Sequence, residues 1–507
     1  MHELGRSFLA VTERWPDAPA IIDGGEALTY QDWYARIDRL AGGLRALGLQ
    51  RGERVVSVLQ NNLQAATLHW ACQLAGVVIV PLNWRMKPEE VDYCVGDCEA
   101  RAIVYEGVSA EAVAQAPACA GIARIAVGDA AGGTHSFADL VAGGVAGNAP
   151  AASGDDYSVF LYTSGTTGRP KGVPRRHSAE RASAVAHVAQ NLYEPGERTL
   201  GVMPLYHTMG VRSLLSMALV NGLFVAQPKF SAAGSLELIE RHRVTCLYLV
   251  PTLYHELLAV PGFSRERVQS CGKLGFAGAP MTAGLLKRVR ENFPPCRLVN
   301  HYGSSEIYTF TVDPDGFRKP GSAGKSGINQ RIRVVAFGSR DPEARAAVGA
   351  EGEIVADLAS AEAFSGYWKR PDADEKSLID GWYFTGDTGY VDADGDLFIT
   401  GRVDDMIITG GENVTPVEVE SVLSLHDKVA EVVVAGLPDE RWGQKICAFV
   451  RRAGAVDAAE LDAFCRQSDL ANFKRPREYI FVREVPKSPT GKILRRVLVA
   501  GDYKKDA

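Results

Sequence analysis

The chain has 507 residues, 46% of them hydrophobic and 23% charged, with a formal net charge of −6. That length exceeds one compact core and predicts two or three domains, while the acidic balance argues against a general nucleic-acid binder. Nine scattered cysteines with no Cys-x-x-Cys pair exclude a disulfide framework and a zinc ribbon, and read as reduced thiols of a cytoplasmic protein.

In chain order, the N-terminus lacks the charged and apolar regions of a signal peptide. Thr29 caps a predicted helix whose apolar positions Trp33, Ile37, Leu40, Leu44 and Leu47 follow a 4-3-4-3 spacing. Val55–Leu59 reads as a strand, 63–74 as a helix and Val77–Val80 as the next strand. This alternation predicts α/β layers around largely parallel sheets. The apolar stretch 68–82 is broken by His69, Gln73 and Pro81, so no membrane span is expected. Residues 110–153, rich in Ala and Gly, carry little pattern. Further strands are predicted at Tyr157–Tyr162, Leu247–Val250 and Leu274–Ala277. His255-Glu256 opens a metalloprotease pattern, but Ala259 stands where the second histidine would be.

Near residue 386 the texture changes. Gly381–Asp387 and Val391–Asp396 read as hairpin material, followed by strand Met406–Ile408, a Gly410-Gly411 turn and a helix from Pro416 to Leu423. Strand Val432–Val434, helix Ala458–Arg466 and strand Tyr479–Val482 complete a small α+β domain. The boundary is placed at Val403/Asp404, giving domains 1–403 and 404–507. Residues 471–507 carry ten Lys/Arg against four Asp/Glu, a basic end suited to a polyphosphate ligand.

The segment Tyr162-Thr-Ser-Gly-Thr-Thr-Gly-Arg-Pro-Lys-Gly172 ends a predicted strand and carries four Ser/Thr hydroxyls, three glycines and Lys171. Glycines let backbone N–H groups turn toward an anion and the hydroxyls add donors, so this is a phosphate cradle. Gly165 and Gly168 are too close for a Walker loop, and Gly172 stands where its magnesium-binding hydroxyl would be, which excludes a P-loop kinase or NTPase. Five later segments carry polar chemistry beyond the needs of folding: Pro204–His207, Gly275–Pro280, Tyr302–Glu306, Tyr383–Asp387 with Gly401-Arg402, and Pro489–Lys492.

With these motifs in this order, the chain resembles the adenylate-forming enzymes, which include acyl-CoA synthetases, luciferases and peptide-synthetase adenylation domains. Val403–Asn413, Arg441-Trp-Gly443 and Phe473–Pro476 most resemble bacterial aryl-CoA ligases of the 4-chlorobenzoate type. The resemblance covers nearly the whole chain. It implies a large N-terminal domain with two α/β layers and a β-barrel, plus a small mobile C-terminal α+β domain. It also implies a reaction in two halves, from carboxylate and ATP to acyl-adenylate, then to acyl-CoA. ATP, Mg²⁺ and coenzyme A are the implied cofactors and a small carboxylic acid the substrate. No nucleic acid and no membrane are expected as partners; a homodimer is among the states considered.

By the same resemblance, the catalytic residues are Lys492, bridging carboxylate and phosphate, Glu306, the Mg²⁺ ligand, and His207. Thr163, Ser164, Gly165, Thr166, Thr167 and Lys171 would hold the triphosphate. Gly278, Ala279, Pro280 and Tyr302 would sandwich adenine, and Asp387 with Arg402 would take the ribose. Asp404 corresponds to the hinge. Arg85, Gly410, Gly411, Trp442, Phe473, Arg475 and Arg477 correspond to coenzyme A contacts. His207, Thr208, Met209, Tyr248, Gly278, His301, Gly303, Tyr308 and Thr309 would form the acyl pocket. His301, Tyr308 and Thr309 depart from the chlorobenzoate pattern. Tyr308 either shortens the cavity or bonds a ring substituent. The expected acid is therefore a compact monocarboxylate: a benzoate, heteroaryl or alicyclic acid. Alternatives are an adenylation enzyme loading a carrier protein, a short- or medium-chain fatty acyl-CoA synthetase, a luciferase-type oxygenase and a non-catalytic nucleotide sensor.

Overall fold

A computed structural model describes residues 3–163, 169–487 and 493–506, with Asn413 described by its backbone alone. Its architecture is a large N-terminal α/β domain and a small C-terminal domain, built on sheets of 14, 7 and 5 strands.

Helix Tyr30–Ala46 starts where Thr29 accepts a hydrogen bond from the Asp32 N–H. It buries Trp33, Ile37, Leu40 and Leu44 completely, whereas Leu47 falls at the C-cap. Strand Arg54–Val58, helix Leu63–Ala75 and strand Val78–Pro81 form a parallel βαβ unit with Val55 beside Ile79. Asn62 caps that helix and Gly76, at φ +74°, ends it in the left-handed region open to glycine. Every residue of this helix except Gln64 is buried, so it lies between layers and its sequence is apolar all round. No helix among the described residues is long and apolar enough to cross a membrane. The weakly patterned 110–153 region holds short elements, among them Ala110–Gln115, Ala123–Ala126 and Phe137–Gly143, too brief to show a period.

Strand Tyr157–Thr163 runs antiparallel to Lys171–Arg176, with Thr163 opposite Lys171. The two ends of the glycine-rich segment are thereby held side by side. In the 14-stranded sheet, strands Arg198–Gly201, Cys246–Leu249, Lys273–Phe276 and Arg297–Tyr302 are parallel neighbours. The segments bearing His207, Gly278 and Glu306 lie beyond their carboxyl ends, the side where open α/β sheets bind ligands.

The expected β-barrel is not a closed one among the described residues. The strands that would form it extend the parallel sheet in the order Thr311–Asp313, Ser322–Ser326, Leu397–Arg402, Trp382–Val391, Gly352–Asp357, Ile332–Val335. A register shift between Ser322 and Gly324 lets one strand pair with both neighbours. At Gly324, φ +76°, a Cβ would stand 2.1 Å from the Val312 carbonyl, so glycine is required there.

The five-stranded sheet pairs Val429–Asp439 with Gly443–Arg452, a strand the sequence reading did not single out, and adds Glu478–Phe481 in parallel. Its core joins Ile407, Val419, Leu423, Val434, Ile446 and Leu461.

Candidate functional site

A cleft of about 2610 Å³ opens between the carboxyl ends of the parallel strands and the C-terminal domain. At its nucleotide end, Glu306 lies just past strand Arg297–Tyr302 and is 7% exposed. The Tyr367 hydroxyl donates to Glu306 Oε1 at 2.6 Å, and the Lys171 ammonium sits 3.9 Å from the Tyr367 ring centre. Burial, then the Glu306 charge, raises the Tyr367 phenol and keeps it a donor. Burial lowers the Lys171 pKa, with Glu306 acting in the opposite direction. Glu306 thus presents a fixed carboxylate, a hard oxygen donor set, beside a cation. Mg²⁺ asks for one or two carboxylates while keeping several waters, and this residue set fits it.

Asp387 and Arg402 are register partners on adjacent antiparallel strands. Tyr302 donates to Asp387 Oδ2 at 2.6 Å and Arg402 donates to Oδ1 at 2.7 Å. Gly386, at φ +72°, lets the guanidinium approach: a Cβ there would meet Arg402 Nη2 at 2.9 Å. Gly278, at φ +83°, turns the exposed Gly278–Pro280 loop at the end of strand Lys273–Phe276. Thr163, Lys171, Gly278, Ala279, Pro280, Tyr302, Glu306, Asp387 and Arg402 all line the one cleft.

At the acid end, His207 caps helix Thr208–Leu219 and its Nδ1 lies 3.3 Å from the Thr208 hydroxyl. Met209, Tyr248, His301 and Tyr308 are each under 5% exposed. Gly303 permits a close turn, since a Cβ would stand 2.1 Å from the Tyr308 carbonyl. The Tyr308 hydroxyl donates to Glu180 Oε2 at 3.1 Å, and its ring lies 3.9 Å from the Arg175 guanidinium carbon. Of the two readings left open for Tyr308, its hydroxyl is engaged by the protein. Thr309 is turned to Arg212, which donates to its hydroxyl at 2.9 Å, and does not line the cleft.

Behind this wall lies a charged network that the sequence reading missed. Arg175 donates to Glu180 at 2.7 Å, to the Glu306 carbonyl at 2.9 Å and to the Glu362 carbonyl at 2.6 Å. Arg175, Glu180, Arg212 and Glu362 are at most 1% exposed. Arg175 therefore ties the main chain at Glu306 to the wall of the acid pocket. The available signal was Arg175 following the Val173-Pro174 pair within the strand Lys171–Arg176.

Ser164, Gly165, Thr166, Thr167 and Lys492 lie outside the described residues. Lys487 and Ile493, which bracket the segment carrying Lys492, pair with each other and line the cleft, as does Asp404. The residues assigned to coenzyme A lie outside the cleft. Arg85 stacks on Trp84, and Trp442 packs on Gly410, whose N–H bonds the Trp442 carbonyl at 2.9 Å. Phe473 and Arg477 are exposed, whereas Arg475 is buried and paired with Asp462. Apart from the cleft, Asp392, Asp394 and Asp396 converge as metal ligands would. The Lys319 ammonium sits among all three and supplies their positive charge.

Comparison with known proteins places this geometry. Residues 8–368 match the AMP-binding enzyme family and residues 418–492 match the AMP-binding enzyme C-terminal domain. A 4-chlorobenzoate–CoA ligase of an Arthrobacter species is 34% identical over 96% of this chain and 92% of its own. A fatty acid–[acyl-carrier-protein] ligase of Streptomyces coeruleorubidus, ScoC, is 33% identical over 95% and 93%. The crystal structure of ATP-bound MatB from Rhodopseudomonas palustris superposes with a TM-score of 0.89 at 30% identity, covering 98% of each chain. The chain belongs to the AMP-binding enzyme family.

Proposed function

We propose that this protein, an acid–thiol ligase of the AMP-forming kind, converts a compact aromatic, heteroaryl or alicyclic monocarboxylate to its coenzyme A thioester. The observation that carries the reading is convergence. A phosphate-side cation, Lys171, a fixed carboxylate, Glu306, and a ribose-side carboxylate, Asp387, meet in one cleft with Met209, Tyr248, His301 and Tyr308.

In the first half-reaction a carboxylate oxygen attacks the α-phosphorus of ATP and the bond to pyrophosphate breaks. Both reactants are anionic, so positive charge between them lowers the barrier. Lys492 is assigned that place, with Lys171 on the outer phosphates. Glu306 would hold Mg²⁺, which supplies charge neutralisation on the phosphate oxygens. Asp387, oriented by Tyr302 and Arg402, would accept the ribose hydroxyls. In the second half-reaction the coenzyme A sulfur attacks the acyl carbonyl and AMP leaves. A swing of residues 404–507 about Asp404 would withdraw Lys492 and bring Gly410, Gly411 and Trp442 to the cleft. A cytoplasmic location belongs to the same proposal; all nine cysteines are free thiols.

The test is coenzyme A-dependent AMP release across benzoates, furoate, cyclohexanecarboxylate and acetate to octanoate. Turnover confined to fatty acids would overturn the compact pocket. The similarity to an acyl-carrier-protein ligase keeps a second reading. In that case AMP would appear without acyl-CoA and the acyl group would pass to an added carrier protein.

A further inference from the structure

His301 is 2% exposed and walls the acid end of the cleft beside Tyr248 and Tyr308. Its proton position follows from its neighbours. The Asn191 amide nitrogen donates to the His187 carbonyl at 2.8 Å, an atom that can only accept. This fixes the Asn191 amide with its oxygen 3.2 Å from His301 Nε2. An amide oxygen accepts only, so Nε2 carries the hydrogen. Burial, reinforced by the Arg212 charge, holds the His301 pKa well below its ordinary value, and the ring is neutral. Nδ1 is then a bare lone pair, buried and with no partner among the described residues. Of the hydroxyls around it, Tyr308 donates to Glu180, and the Thr309 and Tyr248 oxygens accept from Arg212.

We propose that the activated acid carries an O–H or N–H donor on or in its ring, and that His301 Nδ1 receives it. The inference rests on the ligase reading above and narrows it. A buried acceptor left unmatched costs a substantial part of the binding energy, whereas a ligand bringing its own donor removes that penalty. Sites built to bond an O–H or N–H discriminate strongly against the isostere lacking it. The bond forms on binding and persists through the reaction, so most of the discrimination falls on KM.

The experiment pairs near-isosteres in the AMP-release assay: hydroxybenzoates against the matching methylbenzoates, aminobenzoates against chlorobenzoates, and pyrrole-2-carboxylate against furan- and thiophene-2-carboxylate. The favoured donor acid is expected to exceed its partner by about 10- to 100-fold in kcat/KM. His301→Leu is expected to bring that ratio within about threefold of unity by raising KM for the donor acid. Equal or better turnover of the donor-free partners by the wild-type enzyme overturns the inference, as does a ratio that survives His301→Leu. If that variant fails to fold, the wild-type ratio decides alone. Absence of pyrophosphate release with every acid would instead overturn the ligase reading, and this inference with it.

Discussion

The two ends of the cleft are built on opposite principles. At the nucleotide end, the Glu306 and Asp387 carboxylates are each oriented by a tyrosine hydroxyl, with Lys171 and Arg402 alongside. At the acid end His301 and the phenol rings of Tyr248 and Tyr308 wall the cleft, and the charges stand one layer back in Arg175, Glu180, Arg212 and Glu362. In the proposed function, one end would handle a ligand whose charge is constant from substrate to substrate, and the other would recognise a small body by shape and by a few hydrogen bonds. Substitutions at the first should therefore weaken turnover of every acid alike, and those at the second should reorder acids.

The largest effect is expected from Lys492→Ala. Adenylate formation should fall about 10³-fold or more with every acid, while thioester formation from supplied acyl-adenylate stays within about fivefold. Equal loss in both half-reactions would remove Lys492 from its assigned place. Next comes Arg175→Met, which touches both ends. It removes the ion-pair partner of buried Glu180, leaving only the Tyr308 hydroxyl and the more distant Arg212 charge, and should destabilise the protein by about 3–5 kcal/mol in urea denaturation. A loss below about 1 kcal/mol would mean that the two ends are not joined through this pair.

The pH dependence comes third and separates the neutral imidazoles from the charged end. Burial lowers the pKa of His177 to about 4 and of His69 to about 3, and that of His187 and His301 falls well below 6.5. Each folded pKa lies below its unfolded value, so the unfolded chain binds more protons once the pH drops under about 6.5. These terms are fully present above that pH and are lost as it falls toward 4, at up to about 1.4 kcal/mol per pH unit for each histidine. Chemical denaturation from pH 7.5 to 4.5 reads the slope. His301→Leu should flatten it, and an unchanged slope would show that His301 is protonated as freely when folded as when unfolded. The smallest effect is expected from Tyr367→Phe. Loss of one hydrogen bond to the Glu306 carboxylate should slow pyrophosphate exchange about fivefold, uniformly across acids. A change confined to some acids would break the division between the two ends.

What was legible in the sequence follows the same division. Glu306, Asp387 and Lys171, named through the family resemblance from short segments of particular residue types, do line one cleft. The Thr29-capped helix and the Val55–Val80 unit were readable because their periods match their burial. The acid end was readable as a roll of positions but not in its directions. Asn191 lies 110 residues before His301, and Arg212 is 97 residues before Thr309. No local spacing announces such pairs. The open course of the expected barrel strands was hidden for the same reason: it depends on a register shift beside Gly324 that a strand pattern does not encode. Strand Gly443–Arg452 escaped because it has no alternation: polar Gly-Gln-Lys leads into the continuous apolar run Ile446–Val450.

The register pair Asp387–Arg402 has a mechanical meaning. Arg402 ends its strand, and the next residue opens the turn Val403–Asp405. Torsion applied from the C-terminal side is thus met by a cross-strand clamp before it can reach the carboxylate beyond. The sheet pairing ends at residue 402 and the chain leaves it immediately afterwards. In the proposed rotation of the small domain about Asp404, the carboxylate assigned to the ribose would therefore keep its aim, and the adenylate would not need to be re-seated between the two chemical steps.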